Sequence, residues 1–438
     1  MRSWGTALLT IGLILSFIGL AKVKPVKIKH SINKLFSPLD HLIPIKPLHA
    51  QKPGKEIFGF LPYWNLSNTD SIDFETLTTL AYFGVPIKKG GELDRSNIGY
   101  KIFKNNTATE IFQKAHHNGT KVVLTITQMD NNTILKFLDS KSSQDKTITE
   151  VVDEVDKRGV DGVNIDFEYI GDPGKEYANK FTTFAGNLTR AMHAKNPDSY
   201  VTTSVLAGSV KNKNLYNIGD LASNTDGIFM MAYDFATYRA DTVMPTSPLF
   251  GYKEGKYWYD VSSAVNDFLQ VMPAEKLVLG LPWYGYDYPV LSPGDQATVY
   301  QGYASRYKEY YKKNGKLLWR WRTVTVRPSA GVQTYSDQVD LVSNGQEYQQ
   351  GWDDVGKVGW KAYKNKGDNF WRMSYVEDQQ SLGQKYEFAK EKDLGGVGMW
   401  ALGFEEDKRE LWNQLSNKFE DTNKNATLSG RKIAEVPN

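Results

Sequence analysis

From Glu56 onward the chain alternates between two hydrophobic rhythms. Short apolar or β-branched runs recur at Ile57–Tyr63, Leu77–Val85, Lys121–Thr127, Gly159–Glu168, Tyr200–Leu206, Gly227–Tyr233, Lys276–Trp283 and Gly395–Leu402. Their lengths suit buried strands. Between several of them apolar residues return at helical spacing: Ile148, Val151, Val152 and Val155, and the longer set Tyr177, Phe181, Phe184, Ala185, Leu188 and Met192. Eight strands alternating with helices predict an α/β fold, a (β/α)8 TIM barrel. A doubly wound open sheet has a similar rhythm, but neither GxGxxG nor GxxxxGK[ST] follows the first strand.

The rhythm breaks once, after the seventh strand. The stretch from about Tyr288 to Tyr375 holds Tyr300, Tyr307, Tyr310, Tyr311, Trp319 and Trp321, and precedes a helical pattern at Ser381–Lys392. A barrel loop longer than ~15 residues is usually functional or a small domain of its own. We therefore expect an inserted small α+β domain at 288–375, between strand 7 and helix 7. It would divide the catalytic barrel into 56–287 and 376–417, with a polar, disordered tail at 418–438.

The first 55 residues carry no such pattern. Arg2 precedes an apolar run from Ala7 to Ala21, short for a membrane span of ~20 residues and suited to a signal-peptide core. Lys22, Lys24, Lys27 and Lys29 follow it, a flank that the positive-inside rule would hold in the cytoplasm. Residues 1–21 are thus a signal peptide or a membrane anchor, and the protein is expected to be secreted or held at the cell surface. Residues 22–55, with eight Lys, one Asp and five Pro, read as a basic linker.

Composition narrows the chemistry. There is no Cys, which excludes disulfides and thiol nucleophiles, and six His without an HxxxH pair give no zinc signature. No metal or organic cofactor is expected. A net charge of +3 over 438 residues offers nothing to nucleic acid. Aromatics reach 13%, enough to supply both a core and a surface that stacks on sugar rings.

The fourth strand carries the strongest signal. Side chains alternate along a strand, so Asn164, Asp166 and Glu168 share one face while Val163, Ile165 and Phe167 take the other. Both faces of a parallel barrel are buried, and inward carboxylates are costly unless they are used. Glu168 stands last, at the mouth where barrel enzymes place their chemistry. The Asp166 charge should keep Glu168 protonated as a general acid. Two hydrolytic schemes remain open on this spacing: a distant second carboxylate that activates water, or a substrate N-acetyl group that acts as the nucleophile.

Asp161-Gly162-Val163-Asn164-Ile165-Asp166-Phe167-Glu168 resembles the DGxDxDxE signature of family 18 glycoside hydrolases, the chitinase family. Three further stretches resemble the family in the same order: Met231-Ala232-Tyr233-Asp234, Glu377-Asp378-Gln379-Gln380-Ser381-Leu382, and Gly395-Gly396-Val397-Gly398-Met399-Trp400. The likeness runs from Glu56 to about Trp412. It implies that Glu168 protonates the glycosidic oxygen, that Asp166 holds the acetamido N–H, and that Tyr233 binds the acetamido carbonyl. Trp400 would floor the reacting subsite, Met231 would wall it, and Asp234 would support it, unless Asp234 only caps a following helix. Tyr63, Trp64, Trp283 and Tyr286 are further candidates to line subsites, with either Tyr63 or Trp64 belonging to the core.

Departures from the pattern bear on substrate. Asn164 stands where many relatives carry Asp, Thr125-Ile126-Thr127 replaces a smaller Ser/Gly pattern, and Tyr286 follows Tyr284-Gly285 where an Arg is common. The Asn resembles the spore-cortex and peptidoglycan-cleaving branch of the family as well as some chitinase-like proteins, whereas the insertion resembles deep-cleft processive chitinases. The expected partner is an N-acetylglucosamine polysaccharide, chitin ahead of peptidoglycan. Retention of Glu168, Asp166 and Tyr233 favours an enzyme over a glycan-binding, chitinase-like lectin. An amide cannot share a proton with Asp166, so replacing Asn164 by Asp is expected to shift the acidic limb of the pH–rate profile. An unchanged limb would sink that expectation.

Overall fold

A computed structural model describes residues 52, 54–326, 330–343, 347–364 and 370–419. The leader or anchor at 1–21, nearly all of the linker and most of the tail lie outside these residues. Seven strands come first: β1 (Glu56–Pro62), β2 (Thr79–Pro86), β3 (Lys121–Gln128), β4 (Gly162–Phe167), β5 (Tyr200–Leu206), β6 (Gly227–Met231) and β7 (Leu277–Pro282). Then come β8 (Tyr284–Val290), β9 (Tyr303–Lys313), β10 (Lys316–Val326), β11 (Gly331–Thr334), β12 (Tyr348–Asp353), β13 (Val358–Lys364) and β14 (Trp371–Val376), and finally β15 (Gly396–Trp400). Strands β1 to β7 and β15 close a parallel eight-stranded barrel, with β15 seated between β7 and β1. The expected barrel is therefore present.

Its core has two layers, as alternation on a closed sheet requires. Phe58, Phe60, Ala81, Val123, Phe229 and Val278 fill the interior. Ile57, Leu61, Leu80, Val122, Leu124, Val163, Ile165 and Phe167 face the helices. Phe167 meets Phe137, Phe181 and Phe184 at ring-centroid distances of 5.6 to 5.8 Å. That contact fixes the facing of β4: with Phe167 under the helices, Asp166 and Glu168 turn to the barrel interior and mouth.

The fourth strand begins later than its apolar run. Gly159 adopts φ +73° and caps the helix Lys141–Arg158, its N–H bonding to the carbonyls of Val155 and Asp156. Only a residue free to enter the left-handed region ends a helix this way at little cost, so the chain turns before Gly162 and extends after it. Beyond Phe167 the Glu168 N–H still donates to the Gln128 carbonyl at 2.9 Å.

Antiparallel strands occupy the interval between β7 and β15. Strand β8 follows β7 almost at once and joins a five-stranded sheet ordered β11-β8-β14-β13-β12, accompanied by the helix Tyr335–Ser343. Among the described residues, strands β9 and β10 pair only with each other. The chain returns to the barrel through the helix Gln379–Glu391, whose Asp378 N-cap and Ser381 bond reciprocally.

Two ends differ from expectation. Lys52, inside the expected linker, is fixed: its ammonium donates to the carbonyls of Phe74 and Leu77 and to Thr120. Burial lowers its pKa to about 8. Lys418 and Phe419, inside the expected tail, are helical, and Phe419 packs on Tyr386 at 5.9 Å. Among the described residues no helix is long and apolar enough to cross a membrane.

A buried ion pair anchors the returning helix. Lys385 Nζ lies 2.6 Å from Glu377 Oε2, and the two side chains are 0% and 1% exposed. Removing one partner strands the other charge. Lys385→Met is expected to destabilise the fold by about 3–5 kcal/mol in urea titration, and Lys385→Met/Glu377→Leu to recover most of that loss. Equal loss in both variants would show that the pair acts through packing alone.

Candidate active site

Strand β4 places three polar side chains in a row. Asn164, deepest, is fully buried; its amide donates to Ser204 Oγ at 3.0 Å and its carbonyl accepts from Thr202 Oγ1 at 2.8 Å. The residues that Asn164 ties, Thr202 and Ser204, are thus on β5, and the pairing of Asn164 with Thr202 across the two strands explains it. Asp166 sits above, beside Thr127 of β3, with its Oδ1 buried and, among the described residues, without a hydrogen-bond partner. Glu168 is the uppermost.

A single cavity gathers Asp166, Glu168, Met231, Tyr233, Asp234 and Trp400, together with Phe60, Phe83, Ser204 and Tyr284. Trp400 ends β15 and is held edge-on by Phe83, with ring centroids 4.8 Å apart, and by the tilted ring of Phe60 at 5.5 Å. It is both a core contact and part of the cavity surface. Through Met231, Tyr233 and Asp234 the cavity continues into a groove of about 280 Å³ bordered by Tyr169, Asp172, Asn212 and Trp258.

Burial dominates the electrostatics. It pushes Asp166 up to about 7. It also drives Glu168 well above the ordinary carboxyl range, helped by the charges of Asp166 and Asp234. The order matters, because withdrawal from water outweighs the Asp166 charge that the strand pattern alone suggested. Tyr233 is raised by burial and by all three carboxylates. Its hydroxyl therefore keeps its proton and remains a donor. A buried, protonated Glu168 beside an unpaired carboxylate oxygen can deliver a proton and hold an N–H or a cation at one place.

Asp234 supports this arrangement without capping a helix. No helix starts at this point; the backbone instead turns at φ +59°, a conformation that Asp tolerates better than most residues. Its Oδ1 accepts from Tyr284 Oη at 2.5 Å, Tyr286 Oη at 2.8 Å and Thr246 Oγ1 at 3.3 Å. These bonds oppose the rise that burial imposes on its pKa. Tyr286 is accordingly a buried hydrogen-bond donor and not a stacking surface.

Two other candidates lie elsewhere. Trp283 is 0% exposed and packs edge-on against Trp412 at 5.3 Å. The strand ends at Pro282, and the Trp283 ring enters the outer core, so it lines neither the cavity nor the groove. Tyr63 also packs toward the outer core, while its neighbour Trp64 is 37% exposed with its ring 6.5 Å from Trp400. Of that pair, Trp64 is the one at the mouth. The residues that sequence reasoning missed are Phe60, Phe83, Ser204, Thr246 and Tyr284. Alternation along β5 could have shown Ser204, but no local pattern marks Thr246, which arrives on an irregular loop. Among the described residues no group of three or more acidic or His side chains is placed to hold a metal ion.

A probable endochitinase of Caenorhabditis elegans is 26% identical over 276 residues, covering 61% of this chain and 40% of its own length. The di-N-acetylchitobiase of Mus musculus is 24% identical over 335 residues, covering 71% and 80%. Among solved structures, a chitinase from Rhizomucor miehei superposes with a TM-score of 0.65 at 23% identity, over 83% of this chain and 100% of that one. A chitinase from Cycas revoluta in complex with (GlcNAc)3 gives 0.65 at 21%, over 83% and 99%. The model of the glycosyl hydrolases family 18 matches residues 56–405. With four-fifths of the sequence matched by the family model on a closed parallel barrel, this chain belongs to glycosyl hydrolase family 18.

Proposed function

We propose that the protein is a retaining glycoside hydrolase, cleaving β-1,4 bonds beside N-acetylglucosamine in chitin or chito-oligosaccharides, with the substrate's acetamido group as nucleophile. The observation that carries this reading is the pairing of a proton-bearing, buried Glu168 with the unpartnered Oδ1 of Asp166 in one cavity. An unpaired buried acceptor is costly, and an acetamido N–H would satisfy it. In this reading Trp400 takes the apolar face of the sugar, and the Tyr233 hydroxyl steers the acetamido carbonyl toward the anomeric carbon.

The steps balance on these groups. The acetamido oxygen bonds to the anomeric carbon as the glycosidic bond breaks, and Glu168 gives its proton to the departing oxygen. Asp166, ionised, offsets the oxazolinium charge. Glu168 then takes a proton from water, whose oxygen bonds to the anomeric carbon from the face the leaving group vacated as the bond from the acetamido oxygen breaks, which regenerates the acetamide and restores the original anomer. The relatives named chitinase and chitobiase, and the (GlcNAc)3 complex of the Cycas enzyme, support this substrate class. The apolar run at Ala7–Ala21 supports action outside the cytoplasm.

Mass spectrometry of chito-oligosaccharide and purified peptidoglycan digests tests the reading. Wild-type protein should release short oligosaccharides from the first with a retained anomer by NMR, and Glu168→Gln should lower kcat by roughly 10²–10⁴. Cleavage of peptidoglycan alone would move the substrate to the cell wall. Binding without cleavage would make the protein a lectin.

Two pH effects follow from the charges. Removing a negative neighbour lowers the pKa of an acid, so Asp234→Asn should move the alkaline limb of kcat/KM to lower pH. Asp166, near 3.9 when unfolded, is held at about 7 in the fold. The folded state therefore binds more protons between those values, and stability falls as pH rises through that window. Asp166→Asn should raise Tm at pH 8 while leaving it nearly unchanged at pH 4. A uniform shift at both pH values would remove burial of the charge as the cause.

A further inference from the structure

The ribbon of β9 and β10 contributes nothing to the cavity that holds Glu168, yet it is chemically the most one-sided part of the chain. Seven Lys or Arg and a single Glu lie between Tyr303 and Val326, whereas the whole chain nets only +3. The antiparallel register sorts them. One face carries Glu309 between Arg320 and Arg322, which both donate to it. The opposite face carries Arg306, Lys308 and Lys312 with Tyr310, Leu317, Trp319 and Trp321, and no acidic residue. Among the described residues no carboxylate forms an ion pair with these three cations. Leu317 is 65% exposed, and Trp319 and Trp321 are about half exposed.

We propose that this aromatic and cationic face docks on an anionic phospholipid bilayer. Indole and phenol rings settle at the lipid–water boundary, Lys and Arg meet headgroup phosphates there, and their stems lie along the apolar layer. The face is arranged for both at once. Lys308 Nζ stands 4.7 Å from the ring centroid of Trp319 and 5.7 Å from that of Trp321, and the Arg306 guanidinium stands 5.6 Å from Trp321. Cations held against indoles sit at the depth where phosphates and ring edges coincide.

Two other occupants fit less well. A polysaccharide needs flat, uncovered rings, but Trp319 and Trp321 cross at 84° and cations already cover them. A second copy of the ribbon would find open strand edges, but it would bring Lys or Arg side chains against Lys or Arg side chains.

The absence of native cysteine makes the test direct. Full-length Leu317→Cys protein is labelled with an environment-sensitive fluorophore and mixed with vesicles of phosphatidylglycerol and phosphatidylcholine, or of phosphatidylcholine alone. A second label at Lys141→Cys, on the barrel, reports any approach that does not involve the ribbon. The Leu317 label should shift to the blue on the anionic vesicles only. In Arg306→Gln/Lys308→Gln/Lys312→Gln and in Trp319→Ser/Trp321→Ser backgrounds the lipid concentration for half-maximal shift should rise at least tenfold. Turnover of a soluble chito-oligosaccharide should be unaltered in both. An absent shift, an equal shift on neutral vesicles, or a shift at Lys141 alone would overturn the proposal. So would a shift produced by chitin, or by raising the protein concentration without lipid; these would make the ribbon a glycan-binding module or a self-association site.

Discussion

Closing eight parallel strands into a barrel sends every second side chain inward, where water is scarce and each polar group must find a partner. On β4 those side chains are Asn164 and Asp166, with Glu168 following at the mouth. Asn164 meets the constraint by bonding to Thr202 and Ser204, so the lowest polar position is closed. Asp166 leaves one oxygen unmet, and Glu168 keeps its proton because ionisation there is so unfavourable. The chemistry of the site is in this sense a consequence of the barrel's closure. The fold makes charge expensive at two successive levels and leaves a ligand to relieve it.

The rest of the molecule holds that strand in place. Phe167, wedged among Phe137, Phe181 and Phe184, sets which way its neighbours point. Aromatic packing around Trp400 closes the opposite wall. The antiparallel sheet adds Tyr284 and Tyr286, which reach back to the barrel and bond to Asp234. A surface insertion thus contributes directly to the electrostatics of a barrel strand.

What could be read from the sequence divides along the range of the interactions. Period-two alternation gave the inward set on β4, and the run lengths gave all eight barrel strands, because burial on both faces leaves a local imprint. Long-range partners leave none. Trp283 stands at a strand end like Trp400, but it turns outward to meet Trp412, more than a hundred residues away in the chain. The same holds for Tyr286, whose hydroxyl finds Asp234, and for Lys52, whose docking depends on carbonyls from Phe74 and Leu77. Gly159 looked like the start of a strand because an apolar run follows it, whereas its left-handed conformation ends the preceding helix. Composition marked β9 and β10 as aromatic, but only their register separated a neutralised face from a bare cationic one.

The bonds from Tyr284 and Tyr286 to Asp234 tie two equilibria together. They favour the charged form of Asp234, and that charge in turn raises the proton affinity of Glu168. If the inserted sheet moved away and the bonds lengthened, Asp234 would hold its own proton more readily and Glu168 would become the stronger acid. Linkage makes the effect reciprocal: loss of the Glu168 proton must alter how firmly the sheet is held against the barrel. Wall position and acid strength are then conjugate quantities, so the protonation state of the acid carries mechanical information about the cleft.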